Sequence, residues 1–597
     1  MTCKIDVVLI SCGKMRLKDF KIEINSHSIF LFLIITIFLG MSLSPVSAAT
    51  IDIASGLQNS DIQTLIDGSQ QGDTINFIGN SYENISLIIN KKLNIISTKN
   101  SLIIGNDSNG ITGSSMGLTD TFAFYFSNKS SGSAISGFNI LSNSDYGIVA
   151  ENVKNIFIGL NNISACNKGS IELNNVSNVT INKNNLSNSK GNGLNIENSN
   201  NVSANGNQMI NNTYSGIRID NSSDIKITSN NVINNNLSGT SIYSSKNISI
   251  KNNTLENNGH GVYLSNTNKV NITGNEINKN RLNGITLEDK TENTYISYNN
   301  ITKNLNGVYV DSYSVNDTII SNNIKNSVQS VYTYLNVFET GNGIGVGDNY
   351  QKSNSLINIK YNIITDNQHF SIKTNPQYDN FAVGANWFGT NDPANTGTCP
   401  MVNTCMILAR LVKTTNGYEL RFYDGNTLVT SLPSFNAVFQ LNGQNSQTVP
   451  VVNGKASYNY NMDTSKENMI SALVGKYVLN LAIPAYSDNS TINNEKPSNG
   501  STTTDGNSTS SSGNLGSGGN GITNGSSNGN GQGPTLIGLT GNSVSHIGGE
   551  EANGGKSIEV TIKNAINTVK DNPYTILGIF VLLALIGVGY FKRDRFI

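Results

Sequence analysis

The chain has 597 residues, enough for more than one domain and a large core. Only 13% of residues are charged, about half the usual share, and Lys+Arg 39 against Asp+Glu 40 leaves a net charge of −1. No basic stripe is present, which excludes the electrostatic footprint of a nucleic-acid binder. Solubility rests instead on Asn, Ser, Thr and Gly, a surface suited to life outside the cell.

At the N-terminus, Lys14, Arg16, Lys18 and Lys21 precede an apolar run from Ile29 to Leu43, and Val46-Ser47-Ala48 supplies small residues. Residues 1–48 read as a secretory signal peptide with a long basic region, with Met15 as an alternative start and an uncleaved anchor as the other reading.

Residues 51–395 carry a repeat. From Gly147 the chain reads Gly-apolar-x-apolar, five polar residues, apolar-x-apolar, then x-x-Asn-x-apolar, about every 23 residues. The Asn of the last element falls at Asn161, Asn184, Asn207, Asn230, Asn253, Asn275, Asn299 and Asn322. A fixed period in this range marks stacked structural units. Within each repeat, pairs such as Leu194/Ile196 and Val202/Ala204, and the single Met209, alternate with polar residues. That is the period of short strands with one buried face. No span is long enough for an amphipathic helix, so the strands pair in parallel with their equivalents one coil away, in a parallel β-helix rising about 4.8 Å per coil.

The Asn column is expected to be a buried ladder in which each amide donates to the next coil and accepts from the previous one. The Gly opening each first strand is assigned to a corner with positive φ. Thr240, Thr294 and Asp317 stand where the template wants apolar residues, and the stretch 288–316 changes register, so bulged or looped turns are expected there. Before Gly147 the repeat is blurred; after Ile324 it lapses and returns at Tyr361-Asn362-Ile363-Ile364. Gly341-Asn342-Gly343-Ile344-Gly345-Val346-Gly347 has no strand–helix context for a dinucleotide loop and reads as a loop insertion.

The solenoid closes at Asn386-Trp387-Phe388-Gly389, where Trp387, the single Trp, is expected to cap the open end. Cys399 and Cys405 flank a Pro-containing loop and are a possible disulfide in an exported chain; Cys166 sits alone. Residues 396–486 alternate at strand period between turn signals, which predicts a small immunoglobulin-like β-sandwich. Residues 487–555 are a Gly/Ser/Asn-rich tether, and 556–573 a juxtamembrane segment. The apolar run 574–591, followed by the basic tail 592–597, predicts a transmembrane helix with a cytoplasmic end. Asn-x-Ser/Thr triplets, for example at Asn178, Asn201 and Asn247, are glycan acceptor candidates if the chain is exported.

Chemically, His260 is the one candidate catalytic residue. Gly259-His260-Gly261 resembles the Gly-His-Gly element of polygalacturonases, with Arg218 and Asp220 two coils earlier. Yet His260 occupies the turn position held by Asn192, Ser215, Ser238, Asn283 and Asn306 in other coils, so it reads as one polar turn residue among several. Asp220, Asp224 and Asp317 are scattered, with no paired-carboxylate or calcium-holding cluster in view. No metal or cofactor is expected.

The repeat in residues 193–301 resembles the right-handed β-helix repeats of carbohydrate-binding and sugar-hydrolase domains and of the periplasmic NosD type. With the Asn-Trp-Phe-Gly-Thr-Asn closure, sandwich, tether and anchor, the chain looks like adhesin-like surface proteins of methanogenic archaea. NosD would imply copper-enzyme maturation, but His260, His369 and His546 are dispersed. The resemblance implies an all-β chain: a right-handed parallel β-helix solenoid, then sandwich, disordered tether and membrane helix. It also implies a cell-surface rod that binds glycans, wall polymer or other cells. The alternative it leaves open is a surface polysaccharide lyase, hydrolase or epimerase.

Overall fold

The computed structural model describes residues 48–106, 120–310, 314–328, 340–346, 357–373, 381–392 and 405–486, together with the backbone of Cys3–Ile5 and Ile22–Ile24, which pair antiparallel. The segments read as the apolar signal run, tether, juxtamembrane segment, membrane helix and basic tail lie outside the described residues. No helix among the described residues is long and apolar enough to cross a membrane.

Each turn of the chain lays down three short strands, for example Asn192–Glu197, Asn200–Asn205 and Gln208–Ile210. Each pairs in parallel with its equivalent one coil on: Leu194 with Ile217, Ala204 with Ile227, Met209 with Val232. The described residues thereby build three parallel sheets. Sheet A has fourteen strands, from Thr50–Ile53 to Phe381–Val383. Sheet B has twelve, from Ser81–Ile85 to Ile363–Thr365, and sheet C twelve, from Leu87–Ile89 to Ile372–Lys373. Inward side chains stack like on like, as Ile196, Ile219, Ile242 and Leu264 do in sheet C, all fully buried.

The corners follow one device. A residue in the left-handed region turns the strand, and the next residue sends a polar side chain inward. Between sheets A and B the turning residues include Leu160, Lys183, Ser229, Asn252, Tyr298 and Tyr361, with φ between 54° and 59°. The residues after them are the ladder asparagines. Asn230 shows the full set of bonds: its backbone N–H and Nδ2 both donate to Asn253 Oδ1 (2.8 and 3.0 Å), and Nδ2 also donates to the Ala204 carbonyl (2.9 Å). Its Oδ1 accepts from the N–H and Nδ2 of Asn207 (2.8 and 3.0 Å). The ladder runs on past Asn322 to Asn362 and Asn386, across gaps of 40 and 24 residues. A second amide column, Asn212, Asn235, Asn258, Asn280 and Asn304, lines the corner between sheets B and C. At the third corner Ser199, Ser222 and Ser245 play this part, each hydroxyl accepting the N–H of the residue one coil earlier. Buried backbone groups that no strand can reach are satisfied this way.

The glycines of the first strands work differently from the expectation. Gly193, Gly216, Gly239, Gly261, Gly284 and Gly307 do not have positive φ. They are required because the neighbouring coil passes too close: a Cβ on Gly261 would lie 2.4 Å from the Gly284 carbonyl oxygen and 2.4 Å from Ile277 Cγ2.

Two further readings are corrected. A helix, α1 (Asn59–Gly68), interrupts the first coil; its buried Ile62 and Ile66 join the core that holds Phe77, Ile85 and Leu87. The i, i+4 spacing of those two isoleucines gives a ten-residue helix one apolar stripe, short enough to be hidden in a strand-dominated pattern. Ile344–Val346 is not part of a loop insertion but a strand of sheet C, paired with Val308–Val310. Thr240, Thr294 and Asp317, which break the apolar pattern, are all buried, and the Thr294 N–H donates to Asp317 Oδ1 (2.7 Å).

After the last coil come two antiparallel sheets of four strands each. Sheet D contains Leu408–Thr414, Gly417–Asp424, Thr427–Leu428 and Lys455–Tyr458; sheet E contains Phe435–Leu441, Gln444–Val451, Asn468–Val474 and Tyr477–Ile483. Trp387 is 1% exposed and packs edge-on to Phe422 (5.2 Å) and Tyr477 (5.9 Å), within a core shared with Ile363, Ala385 and Ile407. Cys405 is disulfide-bonded, and Cys399 lies outside the described residues. Cys166 is a free buried thiol, which burial pushes up to about 12.

Candidate functional site

Parallel pairing with a fixed register projects every outward position of sheet C into a column. One column holds Glu172, Asn195, Arg218, Ser241 and Tyr263, the next Glu197, Asp220, Tyr243 and Ser265. The loop that enters the sheet adds Lys168, Tyr214 and Leu237. Together they form two adjoining concavities that share Asn192, Asn195 and Tyr214. The larger, about 680 Å³, includes Glu197, Arg218, Tyr243, His260 and Tyr263; the smaller, about 260 Å³, includes Tyr146, Lys168 and Glu172. Because the columns run across the strands, the groove runs along the coil axis.

At its acidic end one amide joins two carboxyl groups. Asn195 Nδ2 donates to Glu172 Oε1 (2.8 Å) and to Glu197 Oε1 (2.9 Å). Asn195 is 7% exposed, and its Oδ1 has no hydrogen-bond partner. Glu172 is 5% exposed. Burial pushes its carboxyl up to about 8, the charges of Glu197 and Asp120 add to the shift, and the Asn195 bond and Arg218 oppose it. Lys168 contacts Asp120 and lies 3.5 Å from Asp145, so its charge is spent on that pair. The Tyr146 hydroxyl is raised above its ordinary value, chiefly by burial and then by Glu172.

The other end is aromatic. The Arg218 guanidinium lies 4.5 Å over the Tyr243 ring and donates to Asp220 (2.8 Å). Tyr243 and Tyr263 stand 5.6 Å apart, and His260 lies 5.4 Å from Tyr263. Tyr214 and Leu237 are about half exposed on the rim. His260 pairs with Ser238 one coil earlier and, like it, opens a strand, His260–Ser265; its Nδ1 bonds Thr286 Oγ1 (2.9 Å), and burial lowers its pKa to about 4. It is therefore neutral near pH 7.

A further concavity of about 850 Å³ lies over the corner between sheets C and A. Its amides bond one another up the stack, as in Asn221 to Asn198 (2.6 Å) and Asn198 to Asn174 (3.2 Å), and it contains no aromatic ring. It has less to offer a ligand than the groove on sheet C.

Of the acidic residues weighed from the sequence, Asp220 ends a sheet C strand and holds the groove residue Arg218, Asp224 lies in a sheet A strand and Asp317 is buried elsewhere. Among the described residues no group of three or more His, Cys, Asp or Glu is placed to hold a metal. The sequence reading missed Glu172, Asn195, Glu197, Tyr214, Tyr243 and Tyr263. Glu172, Asn195 and Tyr263 stand at the x position of Gly-apolar-x-apolar and Glu197 and Tyr243 two residues later, so they line up only when the coils are read against one another.

Residues 122–268 and 241–404 match the family model described as a right-handed beta helix region. No functionally curated protein matches the chain. Among solved structures, the A-module of mannuronan C-5 epimerase AlgE6 from Azotobacter vinelandii is similar at 15% identity and TM-score 0.48, over 56% of this chain and 96% of that one. The catalytic domain of a GH87 alpha-1,3-glucanase is similar at 13% identity and TM-score 0.43, over 58% and 69%. PfbA, a surface adhesin of Streptococcus pneumoniae, is similar at 14% identity and TM-score 0.35, over 46% and 91%.

Proposed function

For a chain whose residues 122–404 belong to the right-handed β-helix family, we propose that the groove on sheet C binds a polysaccharide laid along the coil axis. The observation that carries this reading is the groove itself: tyrosine rings and hydrogen-bonding side chains repeat at the coil spacing of about 4.8 Å, and Asn195 Oδ1 is a buried acceptor with no partner. Aromatic rings stack against the apolar faces of sugars, while amides and hydroxyls read their hydroxyl groups. The basic and apolar segments read at both chain ends support an exported, membrane-tethered, adhesin-like rod that displays this groove at the cell surface to glycans, wall polymer or other cells.

A lyase or epimerase would draw on His260 as base. Its Nδ1 is held by Thr286 and its basicity is low, so binding is the reading preferred. The test is a glycan array followed by affinity electrophoresis with the full-length protein. Tyr214→Ala removes an exposed ring without touching the core, and is expected to weaken polymer binding about ten-fold. An array with no signal above background, or binding unchanged by Tyr214→Ala and by Tyr263→Ala, removes the groove from the account.

A further inference from the structure

Resting on that reading of the groove, we infer that His260 is its specificity-determining donor: a neutral imidazole whose proton is held on Nε2 and offered to an acceptor oxygen of a bound sugar. Bond direction decides where the proton sits. A backbone N–H can only donate, and each amide or hydroxyl that follows passes the direction on. The Asn342 N–H donates to the side chain of Asn306 (3.0 Å), which fixes the accepting atom as Oδ1. Asn306 Nδ2 therefore donates to Asn283 Oδ1 (2.9 Å), and Asn283 Nδ2 to Thr286 Oγ1 (3.1 Å). The three amides and His260 meet because each precedes the strand-opening glycine of its coil, at Gly261, Gly284, Gly307 and Gly343, and so they stack in one column.

Thr286 is the turning point. Its side chain is fully buried, and its hydroxyl meets two polar atoms among the described residues, Asn283 Nδ2 and His260 Nδ1 (2.9 Å). The hydroxyl has one proton to place. Asn283 Nδ2 is a donor, so the acceptor is His260 Nδ1. The opposite tautomer, protonated on Nδ1, would leave that buried hydroxyl proton without an acceptor and is disfavoured about ten-fold or more. Burial keeps the ring uncharged near neutral pH, so its one proton sits on Nε2.

Nε2 is the free end of this chain of bonds. No described residue bonds it, and the part-exposed ring lines the larger concavity beside Tyr263. A sugar stacked on the Tyr263 ring brings its oxygens beside this N–H. The charged groups of the same concavity are Glu197, Arg218, which is paired to Asp220, and Arg281, which is bound to Asn236 and not to a carboxylate. The shared ligand chemistry is an oxygen lone pair, which a sugar hydroxyl and a uronate carboxylate both supply. A sugar lacking that oxygen leaves the donor without a partner and is rejected. With Nδ1 turned into the protein and a proton on Nε2, His260 presents no lone pair to the groove, so it reads a sugar and does not take a proton from one.

The experiment uses the full-length protein with nitrogen-15 in its four histidines, the His260 signals being those lost in His260→Gln. Solid-state NMR at neutral pH is expected to show a bare Nδ1 and a protonated Nε2. Thr286→Val, which keeps the shape and removes the hydroxyl, should move the ring towards the Nδ1–H form. A ring protonated on Nδ1 or on both nitrogens, or one that Thr286→Val leaves unmoved, overturns the proton assignment. Affinity electrophoresis with β-glucan, xylan and mannan as the neutral arm, and alginate and polygalacturonate as the acidic arm, reads the binding role. For a polymer that binds, His260→Ala should weaken binding about ten-fold, and His260→Gln, which returns an N–H, should recover most of it. That pattern in either arm supports the donor and tells hydroxyl from carboxylate. Binding that Tyr214→Ala weakens and His260→Ala does not overturns the donor role and leaves the groove standing. If no polymer binds in either arm, the groove reading falls and this role with it.

Discussion

Asp317 replaces an apolar residue at an inward position, 0% exposed, with Oδ1 on the Thr294 N–H and Oδ2 unpartnered. Burial raises its pKa to about 7, the Thr294 bonds oppose this, and Glu292 adds to it. A carboxyl raised in the folded state binds more protons there than in the unfolded chain. Its contribution is therefore neutral below the unfolded value near 3.8 and increasingly destabilising as pH rises towards 7. Asp317→Asn keeps an acceptor for Thr294 without the charge. The expected outcome is a variant more stable than the parent by roughly 1–3 kcal/mol at pH 8 and little different at pH 4. Thermal melts at the two pH values, or amide exchange in the flanking coils, check it. This residue could be seen in the sequence as a break in the pattern. Whether it was looped out or buried depended on its neighbours one coil away.

At the scale of the coil, stability comes from like stacked on like. Each ladder amide is satisfied only because the coils before and after supply its partners, so one coil alone would hold buried polar groups unpaired. The glycine column exposes the other side of this packing. Gly261 has an ordinary backbone conformation, and Ala is excluded by the Gly284 carbonyl, Ile277 and the ladder amide of Asn280. Gly261→Ala is expected to destabilise by roughly 1–3 kcal/mol and to loosen exchange protection in sheet C around Val262 and Ile285. If instead the change is neutral, the close approach is not a constraint. The period and strand count of the coil were legible in the sequence because the core repeats every 23 residues. The cause of the glycines was not, because positive φ and close approach select the same residue.

Across the described molecule, both ends of the solenoid face the same problem: an open coil exposes apolar core and unpaired strand edges. At the N-terminal end α1 covers the first coils with Ile62 and Ile66. At the other end Trp387 links the last coil to the core of the antiparallel sheets through Phe422 and Tyr477. Trp387→Ala should cost roughly 3–5 kcal/mol and appear as early melting of the antiparallel sheets. Limited proteolysis should then cut first between the last coil and Leu408. An unchanged melting profile would show that the two parts hold each other by other contacts.

By itself the sequence determined the solenoid, since a repeating pattern of apolar pairs and Asn can bury its core and satisfy its amides only by stacking in register. The groove was decided by tertiary structure. Glu172, Asn195 and Glu197 follow no local motif, and they meet because parallel pairing turns a separation of 23 residues along the chain into adjacency across two coils. The raised pKa of Glu172 arises in the same way, from the burial and neighbouring charge that the stacked coils impose.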